Sequence, residues 1–165
     1  MSLHALTLLV SNHFGVLMRV TTIFSRRTFN IKSLTVGETQ DPTVSRMSIL
    51  VEGPEEEVRM VKRLLSKQED VIIAAYSPVP KITNREMLLM KMENTPMLNE
   101  KLAELQKTHH IVLIDASENT VLLEVCSDVD GTHQFIETMA PYGILELCRS
   151  GVMAINTGRQ TLYNL

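Results

Sequence analysis

The sequence predicts an α+β protein built of two tandem ferredoxin-like units, each with the element order βαββαβ. Three observations carry this reading. Hydrophobic spacing switches back and forth between strict alternation and the three-to-four-residue helical period. The same succession of switches occurs twice. Between the two occurrences stands Ser77-Pro78-Val79-Pro80-Lys81, with two prolines in close order and no apolar period. Each unit would then hold roughly 80 residues, an ordinary size for a small domain.

In the first unit, Leu6, Leu8 and Val10 alternate with Thr7 and Leu9, the pattern of a strand buried on at least one face. Val16, Leu17, Val20, Ile23 and Phe24 recur at helical spacing. A second strand opens at Asn30 and runs from Ile31 to Val36; Thr39-Gln40-Asp41-Pro42 is a turn, and Met47, Ile49 and Val51 mark a third strand. Gly53-Pro54 breaks that strand, and a proline at the first helical position starts a helix carrying Val58, Val61, Leu64 and Leu65. Val71 to Tyr76 closes the unit. These elements place the first unit at residues 1–77 and a linker at 78–84.

The second unit, residues 85–157, repeats the order. Met87, Leu89 and their neighbours make a strand, and Thr95-Pro96 starts a helix with Leu98, Leu102 and Leu105 on one face. Ile111–Ala116 and Val121–Cys126 form a hairpin across Ser117-Glu118-Asn119-Thr120. Asp128 caps a helix bearing Phe135, Ile136 and Met139, although Gly131 lies inside it; the helix stops at Pro141 and Gly143. A final strand from Ile144 to Ile155 is bulged at Gly151. The tail, 158–165, shows no clear element. Both helices of the first unit cover one face of its sheet, and Leu9, Leu34, Leu50 and Ile72 are assigned to the other. Such a face calls for association, so a homodimer or larger assembly is expected.

Composition narrows the functional classes. The chain has 165 residues, 44% of them hydrophobic and 21% charged, with a mean hydropathy of +0.05, values of an ordinary soluble globular protein. A net charge of -3 argues against a nucleic-acid partner. Leu6–Val10 is too short for a signal sequence or a membrane span. Two cysteines, Cys126 and Cys148, supply neither a disulfide framework nor a metal quartet and are assigned to the core; a reducing, cytoplasmic location is expected. Ten methionines against four phenylalanines suggest adaptable packing, with Met87, Met90 and Met92 as core filling.

Catalytic signatures are missing: there is no nucleophile elbow, no phosphate-binding loop of the nucleotide type and no dinucleotide fingerprint. An acylphosphatase-like loop at Gly15-Val16-Leu17-Met18-Arg19 lacks the second glycine that would complete a phosphate cradle. His109 and His110, adjacent on a strand, would point to opposite faces and could not chelate one ion. Arg26-Arg27 reads as a solvated helix end rather than an anion patch. The loop Asn12-His13-Phe14-Gly15 has two readings. It is a strand-to-helix turn needing an Asn cap and a glycine, or a ligand loop in which glycine admits a close approach and the helix start offers amides to an anion.

Residues carrying a family resemblance run through this loop. They are Asn12, Gly15-Val16-Leu17, Arg19, Phe24-Ser25-Arg26-Arg27, Phe29 to Gly37, Asp41-Pro42, Ser45-Arg46-Met47 and Val51-Glu52-Gly53, followed by Arg85-Glu86 and Arg149 to Ala154. The run resembles the regulatory small subunits of acetolactate synthase, which carry an ACT domain. The resemblance implies that the first unit is an ACT domain that binds effector and dimerises. It implies a non-catalytic protein that activates a catalytic large subunit and confers feedback inhibition by valine or another branched-chain amino acid. Asn12, Gly15, Val16 and Leu17 of one chain would face Asn30 and Ile31 of the other. Thiamine diphosphate, magnesium and FAD are expected on the catalytic partner alone, with none on this chain, and no metal, nucleic acid or membrane partner is expected. The resemblance also offers Arg26-Arg27 as a partner contact. An alternative is a free-standing amino-acid-responsive ACT protein that regulates a different enzyme or a transcription complex. The sequence departs from the family at His13-Phe14, where an acidic residue and a small residue or proline are usual; a bulky Phe14 would narrow the pocket. Met18 and Thr28 are also unusual and are expected to face solvent or neighbouring packing.

Overall fold

The computed structural model describes residues 2–27 and 29–164, and for Pro80 the backbone alone, so the expectation for Thr28 falls outside it. The chain divides into two units, Met1–Asn84 with Val152–Leu165, and Arg85–Gly151. The second unit was expected to run through residue 157; from Val152 onward the chain groups instead with the first.

In the first unit the elements are β1 (Ser2–Ser11), α1 (Val16–Ser25), β2 (Ile31–Glu38), β3 (Val44–Gly53), α2 (Glu55–Leu65) and β4 (Val71–Pro78). All strand pairs are antiparallel and the order is β2-β3-β1-β4, the ferredoxin-like arrangement. One core joins sheet and helices. Leu6, Leu8 and Val10 of β1 and Met47, Ile49 and Val51 of β3 meet Val16, Val20 and Phe24 of α1 and Val58, Val61 and Leu65 of α2. Helix α2 begins after Pro54, which stands at the cap, one position before the one expected. Its first turn carries Glu55, Glu56 and Glu57 and its last turn Lys62 and Arg63, charges that complement the helix dipole. The expected linker carries structure: β4 continues to Pro78, paired with His4, and Val79–Lys81 forms a single 3-10 turn.

The other face of this sheet is closed by the chain itself. The segment after Gly151 lies on it, held by side chains of alternate strand positions. Ser33 Oγ accepts from the Val152 amide at 3.0 Å, and Thr35 Oγ1 donates to the Val152 carbonyl at 3.4 Å. Arg46 Nη2 donates to the Ala154 carbonyl at 2.7 Å, and Ser48 Oγ accepts from the Ala154 amide at 3.5 Å. Leu162, on a 3-10 turn Leu162–Asn164 in the tail expected to be featureless, packs with Leu9 and Ala75 into a second small core. Leu9 and Leu50 do occupy this face and are buried. Leu34 does not: it pairs with Ile49 and packs on the helix side. Ile72 sits where the β1–β4 register shifts and stays 52% exposed.

In the second unit, β5 (Thr83–Glu93), α3 (Pro96–Leu105), β6 (Ile111–Ala116), β7 (Thr120–Ser127), α4 (Val129–Met139) and β8 (Ile144–Arg149) give the order β6-β7-β5-β8. The single long closing strand expected here is two strands, β8 and a short β9 (Met153–Ile155). Thr95 and Asp128 cap their helices, accepting from the Leu98 amide at 3.1 Å and the Gly131 amide at 2.7 Å. Gly131 is required in α4 because a Cβ there would meet Ser127 Oγ at 2.2 Å. Leu88, Met90 and Met92 of β5 line the core with Val121, Leu123 and Val125 of β7. Strand parity then sends Met87 and Cys126 to the opposite face, where both are exposed, as is Cys148; none of the three is the core residue expected. Glu86, buried at 1% exposure, accepts from Arg149 through both carboxylate oxygens, at 3.0 and 2.5 Å.

Candidate functional site

The loop between β1 and α1 is tied to three neighbouring segments. At the end of β1, the Ser11 amide donates to the Asp70 carbonyl at 2.9 Å and the Asn12 amide to the Thr43 carbonyl at 2.7 Å. Asn12 Nδ2 donates to Glu38 Oε1 at 3.1 Å and to the Pro42 carbonyl at 2.8 Å. Asn12 is therefore not the helix cap: its amide group spans to the far end of β2 and the turn after it. Gly15 takes the cap position, at φ 86° and ψ -7°, and no side chain caps the helix there. That left-handed backbone is what glycine supplies without strain.

With no capping side chain, the second and third amides of α1, those of Leu17 and Met18, have no acceptor among the described residues. These amides and the positive end of the helix dipole suit a carboxylate. Around them, Leu17 and Met18 are exposed and Phe14 is 100% exposed, directed away from its own chain, so it narrows nothing within the protomer. Val16, which the resemblance places at the site, does not offer it a side chain. It is buried in the core beside Val20 and Phe24, which leaves only its backbone for a ligand.

A cluster of charge braces the loop. His13 Nε2 lies 2.9 Å from Asp70 Oδ1, and Arg19 Nε donates to Asp70 Oδ2. The Arg19 hydrogen bond holds the Asp70 carboxyl below the usual carboxylate range, with the charges of Arg19 and His13 adding to it. A Cβ on Gly15 would stand 3.1 Å from Arg19 Nη1, so the guanidinium passes directly over the glycine. Asp70 and Glu38 belong to the site and carry no local sequence signal, because their partners lie 51 and 26 residues away.

Asn30 and Ile31 lie at the other end of α1. The helix has ten residues, so its ends are about 15 Å apart at 1.5 Å per residue. One chain does not bring Asn30 to Gly15. Asn30 is exposed, and Ile31 is half-buried where β2 opens opposite Val51. The remaining candidates dissolve into structure. Arg26 and Arg27 are exposed just past the end of α1. His109 and His110 precede β6 rather than lying on it, and the His109 ring tilts against Phe135 at 6.0 Å. Among the described residues no group of three or more His, Cys, Asp or Glu side chains is placed to hold a metal ion, and no helix is long and apolar enough to cross a membrane.

Known proteins match this chain in both units. Residues 6–73 match the family described as the AHAS small subunit-like ACT domain, and residues 85–158 match the small subunit of acetolactate synthase. A probable acetolactate synthase small subunit of Archaeoglobus fulgidus is 37% identical over 157 residues, covering 95% of this chain and 98% of that one. The acetolactate synthase small subunit of Bacillus subtilis is 33% identical over 157 residues, covering 94% and 91%. The crystal structure of the small subunit from Thermotoga maritima superposes with a TM-score of 0.84 at 27% identity, over 97% of this chain and all of that one. Matched in both units and aligned nearly end to end with such relatives, this chain belongs to the acetolactate synthase small-subunit family, as a regulatory subunit whose first unit is an ACT domain.

Proposed function

We propose that this subunit senses a branched-chain amino acid, valine or a close relative, at a site completed by two copies of the chain. The observation that carries the reading is Gly15 at positive φ, opening a helix whose next free amides have no partner among the described residues. A ligand carboxylate fits there. Asn12, Gly15, Val16 and Leu17 of one protomer would hold the polar end, Val16 through its backbone. Asn30 and Ile31 of a second protomer would close the site, with Leu17 and Ile31 bounding the branched side chain. A small amino acid cannot reach across the roughly 15 Å between the two ends of α1, which is why the second copy is needed.

In this role the protein works in the cytoplasm, in valine, leucine and isoleucine biosynthesis, and does no chemistry itself. It binds the catalytic large subunit, which carries thiamine diphosphate, magnesium and FAD, and raises its activity. Effector occupancy lowers that activity again through a coupling free energy of about 1–3 kcal/mol. Mixed dimers test the shared site. Gly15→Asp and Asn30→Ala chains should each lose valine binding alone, whereas a heterodimer of the two concentrates both lesions in one site and leaves the other intact. Calorimetric titration of the mixture should recover partial binding. Recovery of none, or full binding by either parent, removes the two-chain site.

A further inference from the structure

His13 has both ring nitrogens engaged. Nε2 lies 2.9 Å from Asp70 Oδ1, and Nδ1 lies 3.2 Å from the carbonyl oxygen of Phe14. A peptide carbonyl can only accept, and so can an ionised carboxylate. A neutral imidazole carries a single N–H and can donate to one of the two, turning a lone pair toward the other oxygen. Imidazolium, with an N–H at each nitrogen, satisfies both. We propose that His13, as the imidazolium, is a positioning residue that bolts the Phe14–Gly15 backbone to the turn after α2, and that effector binding is consequently proton-linked, tighter at the acid end of the physiological range. The effector half of this rests on the function proposed above; the positioning half does not.

The surroundings support a switch at His13 and nowhere else in the cluster. Asp70 faces it from the turn between α2 and β4, and Arg19 from α1 grips the second oxygen of that carboxylate. From β2, Glu38 approaches through Asn12, whose amide it accepts. On the turn after β2, Asp41 is occupied by Thr43, accepting from its amide at 2.9 Å and its hydroxyl at 2.7 Å. Of the side-chain types present, carboxylate, guanidinium and imidazole, only imidazole ordinarily changes charge between pH 6 and 8. Losing its proton breaks one of the two bonds. The Asp70 oxygen would then face a bare lone pair, or the Phe14 carbonyl would be released and with it the glycine that sets the loop. His13 is 54% exposed, so the expected effect is moderate, about threefold to tenfold for one charge-assisted bond in partial contact with water.

The test follows the full-length protein and its His13→Gln variant at pH 6 and pH 8, by two readouts. Amide hydrogen exchange at Asn12, His13, Val16 and Arg19, whose amides are bonded in or to the loop, corrected for intrinsic rates, should show protection falling about threefold to tenfold from pH 6 to 8 in the parent and staying flat and low in the variant. Valine dissociation constants should follow the same pattern. Unchanged loop protection in the parent, or the same fall in His13→Gln, overturns the positioning role. A pH-dependent loop with valine affinity identical at both pH values overturns the linkage. A pH-dependent loop with no valine binding at either pH keeps the positioning role and removes the proposed effector.

Discussion

Replacing Gly15 by aspartate, with alanine as the control, isolates charge from backbone strain at the loop. At φ 86° any L side chain is strained, and the added Cβ stands 3.1 Å from Arg19 Nη1. That contact is with the far end of a flexible side chain, so the guanidinium can yield. The backbone term is about 1 kcal/mol and falls on both variants, aspartate being among the residues that enter this region more readily. Aspartate alone adds a negative charge. A ligand carboxylate over the Leu17 and Met18 amides would lie about 4 Å from it. The repulsion is then about 1 kcal/mol in water and about 4 kcal/mol at the effective dielectric of a protein surface site. Arg19 screens part of this, which favours the lower half of the range. In calorimetric titrations with valine, Gly15→Ala should lose less than about tenfold in affinity and Gly15→Asp at least about fivefold more than that. Both should unfold within a few degrees of the parent, since about 1 kcal/mol shifts Tm by about 2–4 °C in a chain of this size. Equal affinities for the two variants would refute the carboxylate at the helix start. Parental affinity in Gly15→Asp would place the effector elsewhere.

Leu162→Ala should remove about 2 kcal/mol from the first unit by opening the small core with Leu9 and Ala75, measured by denaturant unfolding; a change below about 0.5 kcal/mol would mean that the C-terminal segment does not pack there. Arg149→Met leaves the Glu86 carboxylate buried without its partner and should cost about 2–4 kcal/mol, at the lower end because Arg149 is 39% exposed, while adding Glu86→Gln should restore most of the loss. A double variant no more stable than Arg149→Met would argue that the pair contributes through packing alone. For Asp70 the folded pKa is depressed by Arg19. Its stabilisation is therefore complete above its unfolded value, about pH 4, and is lost as pH falls through the lower folded value. Asp70→Asn should flatten the acid limb of stability below about pH 4, and an unchanged limb would contradict the ion pair in solution.

Much of this architecture was legible because the fold obeys its periods. Leu6, Leu8 and Val10, and then Val16, Val20 and Phe24, announce a strand and a helix facing one core. Gly15 was visible as the turn. What stayed hidden was long-range. Asn12 reads as a local cap, yet its amide bonds Glu38 and Pro42, 26 and 30 residues on. Ser33, Thr35, Arg46 and Ser48 have the look of a solvent face. They are polar because the backbone of Val152 to Ala154 lies against them, more than 100 residues later in the chain. Other misses were avoidable. With Leu88, Met90 and Met92 inside, strand parity already excludes Met87 from the core, and Val121, Leu123 and Val125 likewise exclude Cys126.

Closure of that second face changes the argument for association. An exposed Leu9 and Leu50 would by themselves drive two chains together through the hydrophobic effect. In the folded chain both are already buried, and the segment from Val152 to Leu162 satisfies the polar positions beside them. The proposal of a partner copy therefore rests on the split between Gly15 and Asn30 at opposite ends of α1, and on the edge strand β2 that opens at Ile31. An interface of that kind gains part of its stability from whatever bridges it. At the proposed site a ligand held by both halves would stabilise the paired state by mass action, so effector concentration and dimer stability should rise together. The strap from Val152 to Leu162 covers the sheet from within the same chain. It is also continuous in sequence with β8, so the covering of the ACT sheet and the last strand of the second unit belong to one stretch of chain.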